Sequence, residues 1–145
     1  MTSHILFVCL GNICRSPAAE GVMRKLSPEL QIDSAGTSDW HVGETPYGPM
    51  RQAALQRQID LSGLRARQLT ITDFDRFDLI LAMDRENLAN IESLRPEGSE
   101  TPVRLFADYA GLAGIRDVPD PYYTRDFDGV LDLIEAAAQG LLADL

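Results

Sequence analysis

Apolar residues fall along the chain in two alternating patterns: short continuous runs, and longer stretches spaced by three and four. Ile5-Leu6-Phe7-Val8 is continuous and partly β-branched, which predicts a strand buried on both faces of a parallel sheet and ending at Cys9. Ser16-Pro17 then reads as N-cap and first helical residue, with Ala18, Ala19, Val22, Met23 and Leu26 at helical spacing. Gln31-Ile32-Asp33-Ser34 predicts a second strand, and the Gly-, Ser-, Thr- and Pro-rich segment from Ala35 to Gly48 a loop. Met50 to Gln58 predicts a helix with Ala53, Ala54 and Leu55 inward, and Arg67-Gln68-Leu69 a short strand. The buried-strand pattern returns at Asp78-Leu79-Ile80-Leu81-Ala82-Met83. Leu88, Ile91 and Leu94 follow at helical spacing behind Asp84, which can serve simply as an N-cap, until Pro96 stops the helix. Val103 to Phe106 supplies another strand and Val118-Pro119-Asp120-Pro121 a stiff loop. Phe127 to Leu142 is a closing amphipathic helix with Val130, Leu131, Ile134, Ala138 and Leu141 inward. Strands alternating with helices in this way predict an α/β fold with a parallel sheet, in which ligands bind beyond the carboxyl ends of the strands.

The chain has 145 residues, room for one domain over residues 1–145, and 45% hydrophobic with 24% charged residues is ordinary globular composition. The longest apolar run, Ile5 to Leu10, is far shorter than the roughly 20 residues a membrane span needs. No Lys or Arg precedes that run and no small-residue cleavage site follows it, so it does not read as a signal peptide and a cytoplasmic protein is expected. A net charge of −9 repels nucleic acid and acidic lipid surfaces, so a bound anion must be met by a few aimed donors. Cys9 and Cys14 are the two cysteines, too close in sequence for a bridge that constrains much chain. Neither His4 nor His41 stands at metal-ligand spacing from them, so no metal or other cofactor is expected.

The candidate chemistry lies in Cys9-Leu10-Gly11-Asn12-Ile13-Cys14-Arg15-Ser16, which joins a buried strand to a helix N-terminus. Unpaired backbone N–H groups and the helix dipole favour a phosphate-sized anion there, making Leu10, Gly11, Asn12, Ile13, Cys14, Arg15 and Ser16 the candidate phosphate-binding residues. The same field favours a sulfur anion at its centre, and the thiolate is the form that attacks, so Cys9 is the candidate nucleophile. Arg15 carries a planar fork that can hold two oxygens of a phosphoryl group. Gly11 lets the backbone turn and Asn12 tolerates a left-handed conformation. Ser16 can cap the helix and donate to the thiolate. Cys9 could instead be a packed core thiol. A Walker-type loop would need a Gly-Lys-Ser/Thr ending, and a dinucleotide fingerprint more glycines than Gly11 supplies.

With Val8 through Pro17 reading V-C-L-G-N-I-C-R-S-P, the chain resembles the low-molecular-weight protein tyrosine phosphatases, whose signature is V-C-x-G-N-I-C-R-S-P. The likeness extends to Asp33-Ser34-Ala35-Gly36-Thr37-Ser38, Ala82-Met83-Asp84 and Asp120-Pro121-Tyr122-Tyr123, in the same order along nearly the whole chain. It implies a four-stranded parallel sheet flanked by helices on both faces, and hydrolysis of phosphotyrosine through a cysteinyl-phosphate. It also implies Asp120 as general acid, and Asn12 and Ser34 as residues that hold the loop's shape. The implied partner is a phosphotyrosine-bearing protein, with a bacterial tyrosine kinase as a candidate, and the protein itself is expected to be a monomer or weak dimer.

Chemically, a phenolate leaves more easily when protonated, so a carboxylic acid should face the thiolate and later serve as base toward water. Asp120, stiffened between Pro119 and Pro121, is the candidate, although Asp-Pro is also a common turn dipeptide. Trp40, Tyr122 and Tyr123 fall in predicted loops, where large aromatics can wall an aryl pocket or simply pack with their polar ends in solvent. Cys14 offers a redox role, a reversible disulfide with Cys9 under oxidation, against the plainer reading of a small buried side chain. Two other functions compete. Arsenate reduction on the same fold would use further cysteines downstream, and none follows Cys14. A non-hydrolysing phosphotyrosine-binding module would lack nucleophile or acid, and this chain has a candidate for each.

Overall fold

A computed structural model describes residues 2–145. The first strand, β1 (His4–Cys9), is central in a four-stranded parallel sheet and is buried from Ile5 onward. Helix α1 (Arg15–Leu26) returns the chain to β2 (Gln31–Gly36), which pairs with β1 from His4↔Gln31 to Cys9↔Gly36. On the other side of β1 lies β3 (Leu79–Ala82), paired from Ile5↔Leu79 to Val8↔Ala82. Helix α4 (Arg85–Leu94), preceded by α2 (Gly48–Leu55) and a single turn α3 (Asp73–Arg76), carries the chain to β4 (Val103–Leu105) at the edge. The order β2-β1-β3-β4 makes the crossovers diverge at β1 and β3, which opens a crevice at their carboxyl ends.

Alternation along the strands divides the core. Ile5, Phe7, Cys9, Leu79 and Leu81 face α1 and the closing helix α6 (Phe127–Asp144), while Leu6, Val8, Ile80 and Ala82 face Phe74, Phe77 and Ile91. Phe7 meets Phe106 edge to face at 5.0 Å between centroids. The inward residues expected on α6, Val130, Leu131, Ile134, Ala138 and Leu141, are all buried. No helix among the described residues is long and apolar enough to cross a membrane.

Several expectations need correction. Helix α1 begins at Arg15, with Cys14 at the cap position and no side-chain cap, so Ser16 lies inside the first turn instead of capping it. Leu26, Leu55 and Leu94 are 38%, 61% and 37% exposed; each falls in the last turn of its helix, where the apolar stripe runs past the body it packs on. The strand expected at Arg67–Leu69 is one bridge between Gln68 and Gly36. Tyr122 and Tyr123 are not in a loop but in a one-turn helix, α5 (Pro121–Thr124), capped by the Asp120 carboxylate accepting from Tyr122 N–H.

Candidate active site

The crevice at the end of β1 holds a cavity of about 230 Å³ lined on its floor by Cys9, Gly11, Ile13, Cys14 and Arg15. The loop turns through Asn12, whose φ of 57° is left-handed. Gly11 does not take the positive φ, and its role is different: a Cβ there would stand 3.0 Å from the His41 ring. A Cβ at Gly36, across the sheet from Cys9, would meet Leu10 O at 2.8 Å and Asn12 N at 3.2 Å, so the loop can lie flat on β2 only because that residue has no side chain. The first helical bond runs from Ala18 N–H to Cys14 O. The backbone N–H groups of Ile13, Cys14, Arg15 and Ser16 find no acceptor among the described residues, and Pro17 has none to leave unpaired. That is the donor array an oxyanion at the helix start requires.

Behind the sulfur, hydrogen-bond direction can be followed through five side chains. Glu20, buried inside α1 and paired with Arg24 at 2.8 Å, accepts from Ser34 Oγ at 2.7 Å. Ser34 has then spent its proton and accepts from Asn12 Nδ2 at 2.9 Å, while Arg67 N–H donates to Asn12 Oδ1 at 3.0 Å and fixes that amide's orientation. The second Asn12 amide hydrogen goes to Ser16 Oγ at 2.8 Å. Ser16 is left with one proton and its nearest acceptor is Cys9 Sγ at 3.0 Å, closer than Ala35 O at 3.4 Å. With the Asn12 N–H at 3.3 Å, the sulfur receives two donors, both of which favour its anion. Burial holds the Glu20 carboxyl above the ordinary carboxylate range, opposed by the Ser34 bond and Arg24. Glu20 and Arg67 were not singled out from sequence; only the tertiary pairing of β2 with the loop reveals them.

Arg15 is almost fully buried, yet its side chain is paired on two sides. Nη1 donates to Asp84 Oδ2 at 2.6 Å and to Val118 O at 3.1 Å, and Nη2 stands 3.5 Å from Asp120 Oδ2. Both Nη1 hydrogens are thereby used, and Nε with the second Nη2 hydrogen has no protein partner among the described residues, leaving one two-pronged edge of the guanidinium free. Burial works against the cation, but Cys9, Asp84 and Asp120 more than offset it and keep Arg15 charged. Asp84 is an N-cap, accepting from Asn87 N–H at 2.7 Å, and the same carboxylate anchors Arg15 through its other oxygen.

The walls are Trp40, His41, Asp120, Tyr122 and Tyr123, with Trp40 and Tyr123 68% and 73% exposed at the rim. The structure thus brings together every residue singled out for phosphate binding, nucleophile, acid and aryl pocket except Asn12, Ser16 and Ser34, which lie behind the floor as supports. Cys14 shares the cavity as a free thiol, and burial together with the neighbouring Cys9 and Asp120 charges pushes it up to about 12, so it stays protonated at neutral pH. Tyr47 and Arg125, which pack against Tyr122, carry no signal in the sequence pattern.

Comparison with known proteins agrees with this geometry. The low molecular weight protein-tyrosine-phosphatase YfkJ of Bacillus subtilis is 39% identical over 97% of this chain and 94% of its own, and its crystal structure superposes with a TM-score of 0.92 over 99% of this chain and 94% of that one. The low molecular weight phosphotyrosine protein phosphatase of Schizosaccharomyces pombe is 46% identical over 83% of this chain and 81% of its own. Vibrio vulnificus Wzb in complex with benzylphosphonate matches over the whole of both chains at 31% identity and a TM-score of 0.90. The sequence profile of low molecular weight phosphotyrosine protein phosphatases matches residues 4–145, and with the cysteine loop, the buried arginine and the opposing aspartate in one cavity, this chain belongs to that family.

Proposed function

We propose that this protein hydrolyses phosphotyrosine in proteins, and aryl phosphates generally, through a phosphoryl group carried on Cys9. The observation that carries the reading is the meeting in one cavity of Cys9 Sγ, the free edge of Arg15 and the Asp120 carboxylate, with unpaired N–H groups between them. The Cys9 thiolate attacks phosphorus, the bond to the phenolic oxygen breaks, and Asp120 gives that oxygen a proton. Arg15 and the loop amides hold the three equatorial oxygens through the transition state. Asp120, now a carboxylate, takes a proton from the water that attacks the phosphocysteine, which releases inorganic phosphate and restores the thiolate.

Trp40, Tyr122 and Tyr123 give the cavity aromatic walls that suit an aryl ring, and a shorter phosphoserine leaves its phosphorus above Cys9. The benzylphosphonate held by Vibrio vulnificus Wzb, an aryl group one carbon from phosphorus, agrees with that reading. The physiological substrate is then a phosphotyrosine-bearing cytoplasmic protein, among which a bacterial tyrosine kinase is the partner we favour, and the protein acts as a monomer or weak dimer. A panel of paired phosphopeptides tests the function: phosphate should be released from phosphotyrosine and not from phosphoserine, and vanadate should block it. Equal release from both residues would overturn the aryl-pocket reading.

Cys14 has a redox role in this scheme. Peroxide converts the Cys9 thiolate to a sulfenic acid, and the Cys14 thiol condenses with it, forming the disulfide and releasing water, before further oxidation can occur. A Cys14→Ser variant exposed to hydrogen peroxide should recover only a minor part of its activity with dithiothreitol, whereas the wild type should recover most; equal recovery would remove Cys14 from the scheme.

A further inference from the structure

A helix of one turn cannot sustain itself, because so short a segment fixes its backbone for almost no internal bonds. Yet α5 carries the candidate acid at its cap, and of its four residues only Pro121 is buried. Something outside it must help hold the Asp120 side chain in place, and besides the Arg15 Nη2 contact with Asp120 Oδ2 at 3.5 Å a second polar side-chain bond among the described residues ties this segment to a distant element, at Tyr47. Arg125, directly after α5, donates from Nη1 to Tyr47 Oη at 3.1 Å and to the Tyr122 carbonyl at 3.3 Å. Its guanidinium lies 5.4 Å from the Tyr47 ring centroid and 5.2 Å from that of Phe127. The Tyr47 ring in turn packs on Tyr122 at 5.1 Å. Tyr47 belongs to the other side of the site: its backbone N–H donates to Ile13 O, inside the phosphate loop, at 2.7 Å.

We infer that Tyr47 and Arg125 form a strut between the phosphate loop and α5, and act as positioning residues that keep Asp120 over the leaving-group oxygen. This rests on the reading of Asp120 as general acid. The chain of contacts is short: Ile13 fixes Tyr47, Tyr47 and Arg125 fix Tyr122, and Tyr122 N–H holds Asp120 Oδ1 at 3.0 Å. Asp120 Oδ2 is then turned toward Arg15 and the cavity. Arg125 sits at a φ of 64°, a left-handed conformation that disfavours a side chain, and its guanidinium contacts with Tyr47 and Phe127 favour it there.

A poorly placed acid matters only when the leaving group needs a proton, which separates positioning from general damage. The test uses Arg125→Asn, which tolerates the left-handed backbone but cannot reach Tyr47, and Tyr47→Phe, which keeps the rings and loses the hydrogen bond. It compares kcat/KM for phenyl phosphate with kcat/KM for 2,4-dinitrophenyl phosphate, since this constant reports the step in which the phenol leaves. Arg125→Asn should lose about tenfold on phenyl phosphate and less than about twofold on the dinitrophenyl ester, with Tyr47→Phe showing a smaller loss of the same selectivity. Arg125→Lys, which keeps a cation over the rings, should recover most of the difference. Equal losses on both esters, or no loss on either, would overturn the strut. Asp120→Asn is run beside them: if it shows the selective loss and Arg125→Asn does not, the strut alone fails, and if Asp120→Asn lacks the selectivity, the acid assignment fails and the strut with it.

Discussion

Replacing Cys9 with serine is expected to lower kcat/KM for p-nitrophenyl phosphate by at least about 10⁴-fold, because a hydroxyl in this position is not ionised and no base stands beside it to take its proton. Among the described residues the groups that touch Sγ are both donors, Asn12 N–H and Ser16 Oγ, and neither can accept a proton from a serine at that position. The site offers hydrogen-bond donors to a sulfur anion and no base to generate an alkoxide during the reaction. Binding should survive, since the Arg15 edge and the loop amides are untouched, so the variant should still retain a phosphotyrosine peptide in equilibrium binding. Loss of turnover with retained binding supports the nucleophile assignment; turnover within tenfold of the wild type would end it.

The second large effect concerns Arg15. Arg15→Lys is expected to reduce kcat by about 10²- to 10³-fold, the scale of losing a transition-state donor, which corresponds to about 3–4 kcal/mol. Charge is conserved in that substitution, so the loss isolates geometry. The guanidinium reaches Asp84 and Val118 O through Nη1 while keeping a separate edge free for phosphate. An ammonium has one nitrogen and must choose between the buried carboxylate and the substrate. Asp84, fixed as the cap of α4, competes for that nitrogen and draws it from the cavity. Steady-state kinetics on p-nitrophenyl phosphate check this: a fall in kcat well beyond any rise in KM is the expected signature, and a kcat within a few-fold of the wild type would show that charge alone suffices.

Much of this was legible before the fold. The continuous runs at Ile5–Val8 and Leu79–Ala82 have no polar face to offer water, so they can only be strands buried on both sides, and helices between them follow from connectivity. A cysteine at the end of the first run, followed by Gly11, Asn12, Arg15 and Ser16, needs no partner from elsewhere in the chain to read as an anion loop, because its donors are its own backbone. The chemistry of Cys9 and Arg15 is local in the same sense.

The rest was decided by contacts between residues distant in sequence, which neither periodicity nor spacing encodes. Ser16 reads as a cap because serine before proline usually is one; only when β2 lies beside β1 does Ser34 come between Glu20 of α1 and Asn12, so that the Ser16 hydroxyl turns to the sulfur instead. Asp84 reads as a cap and is one, but its second oxygen meets Arg15 because β3 ends beside β1. Asp120 could not be told from an ordinary turn until the chain brought it against Arg15 from more than a hundred residues away. A backbone can announce its own strands, helices and anion-binding turns, since these arise from neighbouring residues. Which side chain a charged or hydroxyl group finally faces depends on how the layers stack, and that is a property of the folded chain alone.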